Sequence, residues 1–308
     1  MTLSTLPDRR ADAAPHAPAI ADDRIELNNS EFLAAVQRAA SALRAVGVTS
    51  GDVVATMLPG AVDLVVSLFA TWRLGAAAAV IDPMVNDAEA GRRISDAGST
   101  VVIATTRPAG VDPSVPVVPL AATGRDVVDP ARPDAEELAL ITYCGDDREM
   151  LDHRHLTAMC RFVIEVFALT EADHSLSTLP MRQICGIWLG ALSPLAVGGR
   201  ATMVGHLDPW SFLDRIERFR PTYSSAVPGL YAALTELPGR MRADTTSVRF
   251  ALCCAAPARI ELRTRFQHRY GIPIVNGHGL SEVVARAHAL RSPAVTEHEP
   301  SSTYVAPQ

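Results

Sequence analysis

From about residue 30 onward the chain alternates short apolar runs with amphipathic stretches of about ten to fifteen residues. The runs include "GDVVATMLP", "AAAAVID", "STVVIATT", "ELALITY", "HSLSTLP", "RATMVG", "TYSSAV", "RFALCCA" and "IPIVNGHG". Stretches such as "AVDLVVSLFATWRLG", "VNDAEAGRRISDAG" and "HLTAMCRFVIEVFAL" lie between them. A strand buried on both faces and followed by a covering helix builds a parallel sheet, so the pattern predicts α/β architecture. Local signals agree. Ser30 is placed to cap a helix whose Phe32, Leu33, Val36, Ala40 and Leu43 share one face, and Gly47 to end it. Asp208 and Pro209 start another helix in the same way.

Residues 107–137, rich in Pro, Asp and Ala, read as a connector around one short strand, "VPVVPL". They divide the chain into a first α/β lobe over 18–137 and a second over 138–308, the whole forming one large domain. The polar residues 1–17 read as a flexible leader. The expected fold is therefore two packed α/β lobes with mostly parallel sheets. At 308 residues and 48% hydrophobic content, the chain can bury a sizeable core.

Composition closes several routes. A net charge of -6 offers no basic patch for a nucleic acid backbone. No apolar run reaches membrane-span length, and the N-terminus lacks the apolar centre of a signal peptide. Five cysteines without CxxC spacing predict a reduced, cytoplasmic protein with no structural zinc, and "DHRH" alone does not make a metal site. All 28 basic residues are arginines, so no step can use a lysine ammonium as a point charge or a Schiff-base amine.

Four segments carry a resemblance. They are "GVTSGDVVATMLPGAVDLVVSLFATWRLGAAAAVIDPM", "STLPMRQICGIWLGALSPLAVGGRATMV", "YSSAVPGLYAAL" and "CCAAPARIELRTRFQHRYGIPIVNGHGLSE". In their order and spacing, from about Pro18 to about Ala289, they resemble the adenylate-forming superfamily: acyl-CoA synthetases, adenylation domains of peptide synthetases and luciferase-like enzymes. The resemblance implies the fold of the acyl-CoA synthetase N-terminal domain. It also implies a chemistry in which carboxylate and ATP give an acyl-adenylate that passes to coenzyme A, a carrier thiol or an amine.

The parts that carry that chemistry are altered here. "ITYCGDDREMLDHRHL" stands where the family places a phosphate loop of the type YTSGTTGxPKG, whose backbone N–H groups wrap phosphate. It keeps Gly145, loses the hydroxyl run and the lysine, and sets Asp146, Asp147 and Glu149 against Arg148, a charge balance that repels a triphosphate. The YGxTE block reads His278-Gly279-Leu280-Ser281-Glu282, and the GGAP turn reads Cys254-Ala255-Ala256-Pro257. Alanines there disfavour a positive φ. Gln183 stands where many members have histidine. The chain ends at "EPSSTYVAPQ", where the resemblance would continue into a barrel subdomain and a mobile C-terminal domain, so the expectation is a truncated form lacking both.

Three functional readings remain. One is a protein, in secondary metabolism, that binds an acyl or aryl group already activated as a thioester or adenylate. It would carry out acyl transfer or rearrangement without ATP or magnesium, and so without a cofactor or metal. Glu282, His278, Cys144 and Asp147 are its catalytic candidates, by acid–base or nucleophilic chemistry. Gln183, Gly186, Val227, Pro228, Ala255, Ala256, Gly279 and Ser281 are its substrate-binding candidates. The substrate would be a small molecule or an acyl group held on CoA or a carrier protein. The second reading is a non-catalytic scaffold that pairs with a second copy or a pathway protein. The third is ordinary ATP-dependent acyl-CoA ligation. In none is a nucleic acid or membrane the partner.

Overall fold

The computed structural model describes residues 3–120, 127–205, 208–241 and 243–277. A short 3-10 turn leads into α1 (Leu6–Ala13), with Leu3 and Leu6 buried. Residues 3–13 are thus part of the packed structure, which corrects the expectation of a flexible leader. The sequence concealed this because α1, "LPDRRADA", is mostly polar and contributes only a few inward side chains. One of those is Arg10, whose guanidinium donates to Asn29 Oδ1 and to the Leu195 and Gly199 carbonyls at 2.8 Å each.

β1 (Pro18–Ala21) and β2 (Glu26–Asn28) follow, then α2 (Asn29–Ala45). The cap of α2 is Asn28 rather than Ser30. Asn28 Oδ1 accepts from the Glu31 N–H and the Glu31 carboxylate accepts from the Asn28 N–H, both at 2.9 Å. β3 (Val53–Met57), α3 (Ala61–Arg73), β4 (Ala77–Val80), α4 (Asp87–Asp96), β5 (Val101–Ala104) and β6 (Val117–Val118) continue the alternation. β7 (Leu138–Cys144) and β8 (Asp147–Asp152) form an antiparallel hairpin. Then come α5 (His153–Val166) and β9 (His174–Ser177).

The apolar stretch after β9 folds as a π-helix over Gly186–Leu192 continuing into α6 (Ser193–Ala196). Every residue of that π-helix is buried. Its two glycines allow close approach: a Cβ at Gly186 would lie 2.2 Å from the Pro180 carbonyl oxygen, and one at Gly190 would lie 2.8 Å from Ser177 Oγ. β10 (Arg200–Met203), α7 (Pro209–Phe219), β11 (Tyr223–Ala226), α8 (Pro228–Glu236), β12 (Phe250–Cys253), α9 (Ile260–Tyr270) and β13 (Ile274–Asn276) complete the described chain. Asp208 caps α7 as its sequence predicted, accepting from the Trp210 and Ser211 N–H groups.

Two sheets result. One runs β13-β12-β11-β9-β10-β1-β2 and the other β6-β5-β3-β4-β7-β8. All pairings are parallel except β1 with β2 and β7 with β8. The sheets do not follow the division at residue 137. β1 pairs with β10 of the later sheet, while β7 pairs with β4 of the earlier one. Three apolar clusters define five layers. α7, α8 and α9 cover the outer face of the seven-stranded sheet, and α4 covers the outer face of the six-stranded sheet. Helices α2, α3 and α5, the π-helix and α6 fill the largest core between the two sheets. Among the described residues no helix is long and apolar enough to cross a membrane.

Candidate functional site

Parallel strands expose their carboxyl ends along one rim, where ligands of open α/β sheets bind. The segment at the phosphate-loop position reaches this rim as the β7–β8 hairpin. Gly145 and Asp146 alone close the hairpin, with Cys144 opposite Asp147, Thr142 opposite Glu149 and Tyr143 opposite Arg148. Gly145 has φ +62°, and Asp146 is not among the positive-φ residues, the pattern of a type II′ turn. The sequence had placed Cys144 and Asp147 in a loop; both are strand residues. Residues 147–152 read as loop because they are polar and exposed, and their strand geometry comes from pairing with β7.

The hairpin tip is fixed to α4. The Tyr143 hydroxyl lies 3.0 Å from both the Arg93 carbonyl oxygen and Asp96 Oδ2, a shared donor. Burial, then the neighbouring Asp96, pushes the Tyr143 phenol up to about 12. Arg93 donates to the Gly145 carbonyl at 2.9 Å, Arg148 pairs with Asp96 at 3.3 Å, and Arg92 reaches Asp146 at 3.2 Å. A phosphate nest needs a run of free N–H groups in a loop, and this turn has two residues, with one carbonyl already held.

Strand alternation puts Cys144, Asp147, Thr142 and Glu149 on the opposite face from Tyr143 and Arg148. Thr142 Oγ donates to Glu149 at 3.3 Å. That face looks toward the start of the π-helix. Burial pushes the Cys185 thiol up, and the charges of Glu149 and Cys144 push it further. The Cys185 thiol lies 3.7 Å from Gln183 Oε1. Cys254, on the far side, is raised well above the thiol range, mainly by burial and then by Cys185. The Cys254 N–H donates to the Ala226 carbonyl at 2.9 Å, which sets the β12 end beside Val227 and Pro228. Cys144, Asp147, Gln183, Val227, Pro228, Ala255 and Ala256 therefore share one rim. Gly186 is buried against Pro180 and has a packing role in this arrangement. His278, Gly279, Ser281 and Glu282 lie outside the described residues.

Cys144 is exposed, whereas Cys160, Cys253 and Cys254 are buried. Burial pushes Cys160 up to about 12 and Cys253 up to about 11, so both stay protonated. In "DHRH", Asp152 caps α5 by accepting from the His155 N–H at 2.6 Å, and buried His153 packs edge-on against Trp72. Among the described residues no group of His, Cys, Asp and Glu is arranged to hold a metal.

Beside the rim lies an open cavity of about 580 Å³ between the sheets. Leu58, Leu64, Val80, Leu179 and Met203 give it an apolar lining. Arg182 and Asp82, 2.9 Å apart, bridge the two sheets at its mouth. Its size suits a small organic group. Neither the cavity nor this ion pair is legible in the sequence, because their parts lie about a hundred residues apart and share no local motif.

The family model of AMP-binding enzymes matches residues 7–145 and 150–307, leaving out 146–149 at the hairpin turn. The chain is 29% identical to a feruloyl-CoA synthase of an Amycolatopsis species over 93% of its own length and 62% of that protein's. It is 24% identical to an oxalate–CoA ligase of Arabidopsis thaliana over 98% of itself and 65% of the relative. The chain thus spans less than two thirds of the length of these relatives. Among solved structures, it is similar to anthranilate CoA ligase AuaEII bound to anthranoyl-AMP, with TM-score 0.81 and 18% identity over 90% of this chain and 58% of that one. It is also similar to the N-terminal domain of FACL13 from Mycobacterium tuberculosis, with TM-score 0.80 and 20% identity over 94% and 80%.

Proposed function

The chain belongs to the AMP-binding enzyme family, and from that membership we propose that it binds an acyl or aryl group activated elsewhere, as a thioester or adenylate, and acts on it without ATP. The observation that carries this reading is the β7–β8 hairpin. Its two-residue turn, pinned to α4, replaces the loop in which a triphosphate would be wrapped. Adenylyl transfer depends on positioned charge around phosphate, and here three carboxylates stand against one hairpin arginine.

In this reading the rim does the work. Val227, Pro228, Ala255 and Ala256 bound the acyl group, and the Gln183 amide meets its carbonyl. Cys144 and Asp147, opposite each other on the hairpin, supply a thiol and a carboxylate to the same edge. Glu282 and His278, from the block that resembles YGxTE, are the acid–base candidates of this reading. Orientation and proton transfer suffice for transfer or rearrangement of a group that is already activated.

A second reading, ATP-dependent ligation, is favoured by the names of the relatives and by the family match resuming at Met150. Calorimetric titration with ATP·Mg, then with a panel of aryl- and acyl-CoA thioesters, separates the two. Thioester binding without ATP binding is expected. Micromolar ATP binding would overturn the ATP-free reading. Silence from both ligands would leave the scaffold reading, with a second copy or a pathway protein as partner.

A further inference from the structure

A further open cavity, of about 760 Å³, lies between α9, the end of α8 and the segment that leads from α8 to β12. Its Thr245 precedes β12 and its Tyr270 precedes β13, so the cavity sits at the amino ends of these parallel strands, the end opposite the rim. Arg265, His268 and Arg269 of α9 form one wall, and Met241, Ala243 and Tyr270 add apolar surface.

The three basic residues stand at i, i+3 and i+4, so one face of α9 presents two guanidiniums and an imidazole to the same space. The carboxyl end of a helix favours cations in its last turn, which accounts for His268 and Arg269. It accounts neither for Arg265, a turn earlier, nor for the cavity they share. Like charges at i and i+4 oppose the helix unless an anion offsets them. Among the described residues no carboxylate lines the cavity. Asp244, between the lining residues Ala243 and Thr245, is taken up by Arg220 and Thr246, each at 2.6 Å. Glu236 pairs with Arg265 at 2.6 Å, but both side chains are more than half exposed, and such a pair holds its geometry weakly. Arg269 is held by neutral acceptors. Its guanidinium donates to the Thr235 and Pro238 carbonyls at 3.3 and 3.1 Å, and its Nε–H to the Tyr270 hydroxyl at 3.1 Å. These contacts fix the cation at the cavity wall and use three of the five N–H groups that a guanidinium carries.

We infer that this cavity is a second binding site, for a small phosphomonoester with an apolar body. A guanidinium takes phosphate through paired N–H groups, and a doubly charged head offsets both Arg265 and Arg269. The His268 imidazole adds a further hydrogen-bonding group beside them. The apolar body rests on Met241, Ala243 and the Tyr270 ring. The inference depends on neither the acyl-binding reading nor the ATP-free one, since no residue of the rim takes part.

The test is calorimetry on the full chain with phenyl phosphate, inorganic phosphate and benzoate. Phenyl phosphate is expected to bind about tenfold tighter than either of the others, because phosphate lacks the apolar body and benzoate the second charge. Arg269 ties the end of α8, so the substitutions are made at Arg265 and His268, both exposed. Arg265→Gln and His268→Gln should each weaken phenyl phosphate binding by about threefold or more. Arg218→Gln, at an exposed position of α7 outside the cavity, should leave it unchanged. Failure of phenyl phosphate to bind, or binding no tighter than either comparator, overturns the inference. So does an affinity that Arg265→Gln and His268→Gln leave unmoved, or that Arg218→Gln lowers equally. Arg269 would then serve only to hold the end of α8.

Discussion

At the scale of single residues, Ala255 shows what the altered turn after β12 has kept. Its φ is +69°, in the left-handed region that glycine occupies freely and other residues avoid. The two alanines in place of the GGAP glycines had suggested that this backbone shape was lost; it persists, at the expense of strain. Removing the Cβ relieves about 1–2 kcal/mol, of which glycine's greater freedom in the unfolded chain returns part. Ala255→Gly is therefore predicted to stabilise the fold by roughly 0.5–1 kcal/mol in denaturant melts, and an unchanged or lowered midpoint would refute the assignment of strain. His174 gives a pH prediction. Its buried Nε2 lies 2.7 Å from Thr202 Oγ, and burial, with Arg200 nearby, lowers its pKa from 6.5 to about 3. Between those values the unfolded chain takes up a proton that the folded chain refuses. Stability is then fully present above about pH 6.5 and falls as pH drops toward 3, by about 1.4 kcal/mol per pH unit from this group. Buried His153 is also lowered and acts in the same direction. Melts at pH 7, 6 and 5 should show a shallower slope for His174→Gln than for the unaltered protein.

At the scale of elements, the β7–β8 hairpin separates two causes that the sequence left entangled: missing geometry and wrong charge. In the ATP-free reading proposed above, Asp146, Asp147 and Glu149 oppose a triphosphate, and the two-residue turn offers too few N–H groups to hold one whatever its charge. The triple variant Asp146→Asn, Asp147→Asn, Glu149→Gln is predicted to leave calorimetric ATP binding undetectable. Recovery of binding would show that charge alone was the obstacle. The hairpin also marks the limit of sequence reading. β3, β4, β5 and β7 were legible because a strand buried on both faces must be apolar throughout. β8 was not, since "DREMLD" carries charge at an exposed edge and owes its strand geometry to its partner. The pitch of the π-helix was hidden for a related reason: with every side chain buried, no amphipathic period reports it. The approach of Ser177 to the π-helix at Gly190 was equally hidden, because a serine in a strand carries no signal until register says what it faces.

At the scale of the whole molecule, the chain exchanges strands between its sheets, and this decides how it must fold. The order of strands and helices was legible, yet the division at residue 137 failed, because sheet membership depends on pairing between distant segments. β1 and β2 leave the first part of the chain to complete the seven-stranded sheet, and β7 and β8 leave the second part to complete the six-stranded one. Arg10 adds a tie, joining α1 to one carbonyl within α6 and one just after it, and Arg200 pairs with Glu26 at 2.9 Å. Arg10→Ala would leave two carbonyls and Asn29 without their buried cationic donor, an expected loss of about 2–3 kcal/mol. Residues 1–137 alone would retain β1 and β2 without β10, the strand that β1 pairs with. Residues 138–308 alone would retain a hairpin without the sheet it edges. Each fragment would therefore expose the core that α2, α3, α5 and the π-helix share between the sheets. The prediction is that neither fragment folds when expressed alone, as judged by near-ultraviolet circular dichroism and size exclusion. Co-expression should restore a single compact species that unfolds in one transition at lower denaturant than the intact chain. Independent folding of either fragment, or two resolved transitions in the intact protein, would show that each lobe holds together without the strands it lends.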